Sequence, residues 1–385
     1  MTIDDGLYQF ATPGQAAYMD AYRTHGSFSK AARALGIHQR TLERSIETVR
    51  RKAAKMGYSP AHDMTHTVPE GFRVKGTTTL YDSDGVLRAQ WVKTCTDWEA
   101  KRQDILTAVE TIWSGKPRKP TKAPQRAAGD LLTVYPIGDP HIGMYAWAQE
   151  SGEDFDLAIA ERQMCEAVDK LVSLAPPSEV GVVLNLGDLI HADNTQNKTL
   201  RSGHVLDVDT RWGRVLEVGA TCMERVVTMA LRKHTRVIVR NNIGNHDEHT
   251  SQAIALGLHL LFRNEPRVTI DRSPSHFWYH RHGSVLIGST HGDLVKPDQL
   301  PQVMATDAAD DWGKSQHRYW YIGHVHHRKV IESPGCVVES FRTLAAKDAW
   351  TSMMGYRAGR DISCIVHDRD HGEVARHTVG VSMLS

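Results

Sequence analysis

Between residues 28 and 53 the apolar positions repeat with a helical period. Phe28, Ala31, Ala32 and Leu35 follow i, i+3, i+4, i+7 and predict one buried stripe. Ser27 is placed to cap that helix and Gly36 to end it. Ile37 packs in the turn, and Leu42, Ile46, Val49 and Ala53 form the inward stripe of the next helix. Residues 15–56 as a whole read as three helices. Residues 76–93 read as a β-hairpin, with Leu80, Val86 and Trp91 on the strands and Asp84-Gly85 at the turn. A helical period returns over 97–113 in Trp98, Ile105, Val109, Ile112 and Trp113. From residue 130 the texture changes to apolar β-branched runs alternating with helical stretches. The runs at 131–139, 179–188 and 235–247 each end in Gly-Asp or Gly-Asn, with helices expected over 157–174 and 209–233. This is a βαβαβ rhythm with polar residues at the strand C-termini. Later strands are expected near 267–272, 276–290, 318–323, 329–342 and 361–381, giving a mixed sheet or two sheets face to face.

Charge divides the chain in the same place. Residues 21–60 hold nine Lys and Arg against two Glu, a balance of +7, so the net +1 leaves −6 for the rest. A basic front on a mildly acidic body suits a polyanion-binding module attached to something else. The segment 115–129, GKPRKPTKAPQRAAG, has three prolines, five basic residues and no acid, and reads as an extended linker that adds phosphate contacts. We therefore expect a winged helix-turn-helix-like domain at 1–114, a basic linker at 115–129 and an α/β domain at 130–385. The stretch SFSKAARALGIHQRTLERSI resembles helix-turn-helix domains. That likeness implies His38, Gln39, Arg40, Glu43 and Arg44 facing base edges, with Arg50, Arg51 and Lys52 on phosphates. The competing reading is a small helical bundle with a solvated basic face.

Composition removes other classes. Apolar residues at 41% and charged residues at 24% are those of a globular protein, and no run reaches the ~18 apolar residues of a membrane span. The N-terminus has no basic-then-apolar leader pattern. Five cysteines without a C-x-x-C pair point to reduced thiols in a cytoplasm. Histidine is the outlier, at 22 residues, many beside Asp, Asn or Gly, which directs attention to metal sites.

Five clusters stand in order: Gly138-Asp139-Pro140-His141, Gly187-Asp188-Leu189-Ile190-His191, Gly244-Asn245-His246-Asp247, Thr290-His291-Gly292-Asp293 and Gly323-His324-Val325-His326. Four directly follow an apolar strand. One alone is an ordinary turn; five together, each bringing carboxylate oxygen, amide oxygen or imidazole nitrogen to a strand end, suit Mn²⁺, Fe or Zn²⁺. Their order resembles that of the calcineurin-like metallophosphoesterases: D-x-H, G-D, G-N-H-[DE], H, G-H-x-H. The resemblance implies a four-layer α/β/β/α sandwich with two divalent cations, Mn²⁺ foremost with Fe, Zn²⁺ or Mg²⁺ as alternatives. It implies one cation on Asp139, His141, Asp188 and His326, the other on Asp188, Asn245, His291 and His324, and a bridging Asp188. It further implies His246 as general acid, with Asp247 holding its tautomer. Asp293 and Glu248 are candidates for a supporting shell, and His249, His280, His282, His317 and His327 match no ligand position.

The run Gly187 to His191 lacks the Arg that follows in phosphoprotein phosphatases and resembles the G-D-L-[FI]-H of double-strand-break-repair nucleases. That makes His191 a candidate for the scissile phosphate, its other reading being a cap on the next segment. With the basic front end, these residues lead to the expectation of a DNA nuclease acting on duplex DNA, without a membrane. A homodimer is compatible with both modules, and the short stretch after the last expected strands argues against a docked ATPase partner. The competing expectations are a small-nucleotide phosphodiesterase or phosphatase whose front end localises or oligomerises it, and a DNA-binding regulator with a vestigial metal site.

Overall fold

The computed structural model describes residues 3–66, 68, 72–82, 87–96, 117–125, 127–199 and 201–385. The helix expected over 97–113 and the turn at Asp84-Gly85 lie outside these residues. The chain divides into two compact units, Met1–Asp104 and Ile105–Ser385.

In the first unit, a 3-10 turn leads into α1 (Pro13–His25), α2 (Phe28–Leu35) and α3 (Gln39–Lys55). Thr12 and Gln15 close a reciprocal capping box on α1. Ser27 Oγ accepts the Lys30 amide, so α2 starts at Phe28. Gly36, at φ +66°, ends α2, since a side chain there would be strained. Leu42, Ile46, Val49 and Ala53 bury one face of α3 against Met19, Tyr22 and Ala31. Leu35, expected in the buried stripe, is 38% exposed. The chain reverses at Gly36 immediately after it, and Ile37 packs against the core instead. After the two-residue pair β1 (Tyr58–Ser59) and β2 (Met64–Thr65), β3 (Phe72–Tyr81) runs antiparallel to β4 (Leu87–Thr96). Leu80 and Trp91 on this hairpin are more than half exposed.

The second unit is built from two sheets. One has the order β15-β14-β5-β6-β7-β8. Its members are β5 (Ala128–Ile137), β6 (Ser178–Asn185), β7 (Arg236–Asn241), β8 (Val268–Ile270), β14 (Asp361–Asp368) and β15 (Gly372–Gly380). β5 to β8 are parallel, and β14 and β15 are antiparallel additions at one edge. The other sheet has the order β12-β13-β11-β10-β9. It comprises β9 (Trp278–His282), β10 (Val285–Thr290), β11 (His317–Ile322), β12 (Lys329–Ser333) and β13 (Cys336–Ser340). The helices are α4 (Ala148–Ser151), α5 (Leu157–Leu174), α6 (Trp212–Leu231), α7 (Thr250–Phe262), α8 (Leu300–Asp307), α9 (Ala309–Lys314) and α10 (Ala349–Met353).

Side-chain alternation along the strands sets the layers. On β5, Tyr135 and Ile137 join the cluster formed with α5, α6 and α7, while Leu132 and Val134 pack with Val285, Ile287 and Tyr321 between the sheets. On the second sheet, Leu286, Trp320, Ile322 and Val338 turn away toward Leu300 and Met304 of α8. The order is therefore helices, sheet, sheet, helices. Burial on both faces explains the nearly continuous apolar runs of the central strands.

Three runs expected as single strands are hairpins. The stretch 276–290 folds back at Gly283 (φ +60°), 329–342 at Gly335 (φ +79°), and 361–381 after Asp368. Hairpin formation lets each run supply an interior strand and an edge strand, or two neighbours, within one sheet. Helix α7 was not among the expected helices. Residues 117–125, part of the expected extended linker, lie along the second unit. Thr121 donates its amide and hydroxyl to Glu265 Oε2 at 2.6 and 2.7 Å, and Arg118 donates its amide to Leu261 O at 2.8 Å and reaches Glu224. Among the described residues no helix is long and apolar enough to cross a membrane.

Candidate metal centre

The five clusters, four of them opening on glycine, meet at the C-terminal ends of β5, β6, β7, β10 and β11. Seven non-glycine residues take left-handed backbone conformations among the described residues, and five of them are Asp139 (φ +46°), His141 (+46°), Asp188 (+51°), His324 (+69°) and His326 (+54°). Each such residue costs about 1–3 kcal/mol, and strain of this kind persists where surrounding structure over-determines it, most often at functional sites.

Asp139 and Asp188 are buried at the floor. Asp139 Oδ1 and Oδ2 accept the His324 amide at 2.9 and 3.0 Å. Asp188 Oδ1 accepts the His246 amide at 2.8 Å, and Asp188 Oδ2 lies 3.2 Å from His291 Nε2. Asn245 Oδ1 is 3.0 Å from the same His291 nitrogen. His291 donates Nδ1–H to Leu186 O at 2.9 Å, which turns Nε2 toward Asp188 and Asn245. His141 Nε2 and His326 Nε2 face each other at 3.1 Å, and each of His291 and His326 has a ring nitrogen 3.7 Å from Asp139 Oδ1. Asp139, His141 and His326 thus form one group of potential ligands, and Asp188, His291 and His324 a second. Asn245 adjoins the second.

The electrostatics match that geometry. Burial, with Asp188 adding to it, pushes Asp139 up to about 7. Burial works against charge on His291, but the carboxylates of Asp188 and Asp139 hold its proton up to about 10. The same negative field favours a bound cation. Burial lowers His326 to about 4 and takes His141 well below the usual range, so both are neutral and keep the lone pairs that ligands require. Glycines provide the remaining space. A Cβ on Gly244 would sit 2.1 Å from Asp188 Oδ1, one on Gly187 2.5 Å from His291 Nδ1, and one on Gly323 2.7 Å from Asp139 Oδ2. Gly244→Ala is therefore expected to displace Asp188 and remove the thermal stabilisation by Mn²⁺ seen in scanning calorimetry. Wild-type stabilisation in that variant would show that the close approach is dispensable.

A third group, His141, His191 and His246, adjoins the first two. His191 Nδ1 lies 3.2 Å from His141 Nδ1. With His141 Nε2 free for a cation, its proton resides on Nδ1 and is donated to His191. The His191 proton then resides on Nε2, a buried atom without a hydrogen-bond partner. His246 donates Nδ1–H to the His191 backbone carbonyl at 2.8 Å, leaving Nε2 free.

That bond corrects the role expected for Asp247, which does not hold the His246 tautomer. Asp247 Oδ1 accepts the Gly244 amide at 3.0 Å, and Oδ2 accepts the Leu189 and Ile190 amides at 2.8 and 3.4 Å. A carboxylate turned into three amides is a staple between two loops, and its neighbour's ring finds a carbonyl instead. Glu248 and Asp293 both hold Arg201, at 2.7 and 3.0 Å. His249 pairs with Asp193 at 2.8 Å.

Several supporting residues carried no signal in the sequence. Thr343 donates Oγ1–H to Asp139 O at 2.6 Å. Asn185 donates to Asn241 at 2.7 Å, Asn241 to Ser251 O at 2.8 Å and Asn242 to Ser289 at 2.5 Å, tying strand ends together beneath the site. Such polar residues follow apolar runs at many strand ends, and only their pairing across strands marks these. The centre opens into a cavity of about 350 Å³ whose other wall includes Trp350 and Tyr356.

The residues expected on DNA form a separate set in the first unit. His38 caps α3 by accepting the Arg40 amide at 3.2 Å, Gln39 donates to Glu43 at 2.7 Å, Arg51 pairs with Glu47 at 3.2 Å, and Lys52 donates to Phe10 O at 3.2 Å. Arg40 and Arg44 are exposed, and Arg50 is half-buried. His38 thus serves as the N-cap of α3, and Lys52 fastens α3 onto the 3-10 turn.

Comparison with family models gives no match, and neither does comparison with curated proteins. Among solved structures, a dimetal phosphatase from Danio rerio is 10% identical, with 65% of this chain and 98% of that chain covered and a TM-score of 0.35. A Vacuolar Protein Sorting 29 from Cryptosporidium parvum is 14% identical, with 66% and 99% covered and a TM-score of 0.30. An uncharacterised Streptococcus pneumoniae protein described as a predicted phosphoesterase is 12% identical, with 66% and 99% covered and a TM-score of 0.28. These likenesses are distant, and the chemistry of the site rests on its own residues and distances.

Proposed function

We propose that this chain is a phosphodiesterase dependent on two divalent cations, and that its substrate is DNA. The observation that carries the reading is the pair of adjacent donor groups, Asp139/His141/His326 and Asp188/His291/His324, at the floor of an open cavity. Asp188 is the residue suited to bridge them, and Asn245 completes the second group. Bound there, two cations would neutralise the non-bridging phosphate oxygens and lower the pKa of a water. Hydrolysis consumes one water for each P–O bond broken, and the departing oxygen needs a proton. His246 Nε2 faces that need, because the His191 carbonyl accepts Nδ1–H and leaves Nε2 free. The buried Nε2–H of His191 supplies a donor to a phosphate oxygen once substrate fills the cavity.

The first unit supports a DNA substrate. Helices α2 and α3, joined through Gly36 and Ile37, suit a helix-turn-helix with Arg40 and Arg44 exposed on the second helix, and the β3/β4 hairpin suits its wing. Labelled duplex and single-stranded DNA incubated with Mn²⁺ or with EDTA tests the whole reading: cleavage should require the metal. If bis-p-nitrophenyl phosphate is hydrolysed while all DNA stays intact, the substrate is a small diester. Replacing Arg40 and Arg44 by alanine should weaken duplex binding at low salt. The slope of log K against log salt should flatten by roughly one for each phosphate that is no longer neutralised. Unchanged affinity and slope would refute the basic helix as the DNA-binding element.

A further inference from the structure

We infer that Trp350 and Tyr356 form a stacking platform for the nucleobase beside the scissile phosphate, so that the strand enters the site unpaired. This rests on the phosphodiesterase reading and adds the form of the substrate to it. The two rings have centroids 6.1 Å apart and planes 41° apart, and remain 49% and 38% exposed. The segment that carries them is well braced. Asp348 Oδ1 accepts the Thr351 amide at 2.8 Å and its hydroxyl at 2.6 Å, and Tyr356 donates its amide to Thr351 O at 3.1 Å. Arg357 closes the turn on the carbonyls of Ser352 and Tyr356 at 3.2 and 2.7 Å. A braced turn that leaves two large aromatic rings in water presents them for contact rather than for folding.

Continuity with the metal centre identifies the occupant. Trp350 and Tyr356 line the same cavity as Asp188, His191 and His246. An adjoining cavity of about 430 Å³ shares His326, Ala346, Thr351 and Tyr356 with it and extends to Lys347. The trough therefore has room on both sides of a phosphate seated over the donors, as a diester within a strand requires, and Lys347 offers a cation to a neighbouring phosphate. What flanks such a phosphate is sugar and base. A base inside a duplex has both faces covered by its neighbours, so only an unstacked one can lie on Trp350.

The test uses the full chain and two readouts. In the first, a tetranucleotide containing 2-aminopurine is titrated in EDTA, and stacking is read as fluorescence quenching. Wild type should quench, Trp350→Ala should bind about tenfold more weakly without the quench, and Trp350→Phe should recover most of it. In the second, a single-stranded oligonucleotide is compared with one carrying an abasic residue next to the cleaved linkage, in Mn²⁺. Removing the base should lower kcat/KM about tenfold in wild type and scarcely in Trp350→Ala, because the missing partner is the same. An equal base effect in both proteins, or quenching that survives in Trp350→Ala, overturns the platform. If neither oligonucleotide is cut while quenching depends on Trp350, the platform stands and the assigned reaction falls.

Discussion

Asp188→Ala should abolish metal-dependent phosphodiester hydrolysis, with kcat/KM falling by about a thousandfold or more. The carboxylate belongs to the second donor group and its charge acts on Asp139, His141 and His326 of the first, so its removal weakens both, and several kcal/mol of charge stabilisation correspond to three or more decades of rate. The variant also lacks the acceptor for the His246 amide and the carboxylate facing His291. Calorimetry gives the check that does not depend on turnover. At a hundred times its Kd a cation stabilises the folded chain by about 2.7 kcal/mol, which in a unit of this size raises Tm by roughly 4–5 °C. Wild type should show that rise with Mn²⁺ and Asp188→Ala should not. A variant that still gains stability from Mn²⁺ and still turns over would remove Asp188, and with it the two-cation arrangement, from the mechanism.

His246→Ala should separate binding from proton transfer. Its ring belongs to neither of the two main donor groups, so stabilisation by Mn²⁺ should persist. Loss of a general acid typically costs about 10²–10⁴ in kcat. The penalty should depend on the leaving group: an alkoxide leaving from DNA needs the proton, whereas p-nitrophenolate is stable without one. Cleavage of an oligonucleotide should therefore fall by about 10²-fold or more, and hydrolysis of bis-p-nitrophenyl phosphate far less. Equal losses on both substrates would show that His246 positions the site instead of donating the proton.

Much of the candidate site was legible because each piece is local. In four clusters glycine followed by Asp, Asn or His states where a strand stops and which donors it presents, and with Thr290-His291 the five could be counted without knowing their partners. The close approaches that require those glycines are tertiary: a Cβ on Gly187 would meet His291, one on Gly244 Asp188 and one on Gly323 Asp139. Roles that depend on contact were not legible. Asp247 follows His246 in sequence, yet its carboxylate reaches back to Gly244, Leu189 and Ile190. His38 begins a basic helix and serves as its cap. The hairpins were merged into long strands although polar turn residues separate their apolar runs, His282-Gly283-Ser284 in one and Ser333-Pro334-Gly335 in the other.

The sequence by itself determined the two-part organisation of charge, the βαβ order of the second unit and the set of candidate donors. These follow from periodicity and residue chemistry over a few neighbouring positions. Which histidine proton points where, which carboxylate is a staple, and which aromatic rings reach the cavity were decided only by tertiary structure. The reason is physical: tautomers, burial and fields belong to pairs of groups brought together from distant stretches of the chain. The hydrogen bond from Thr343 to Asp139 exists only once the sheets have packed.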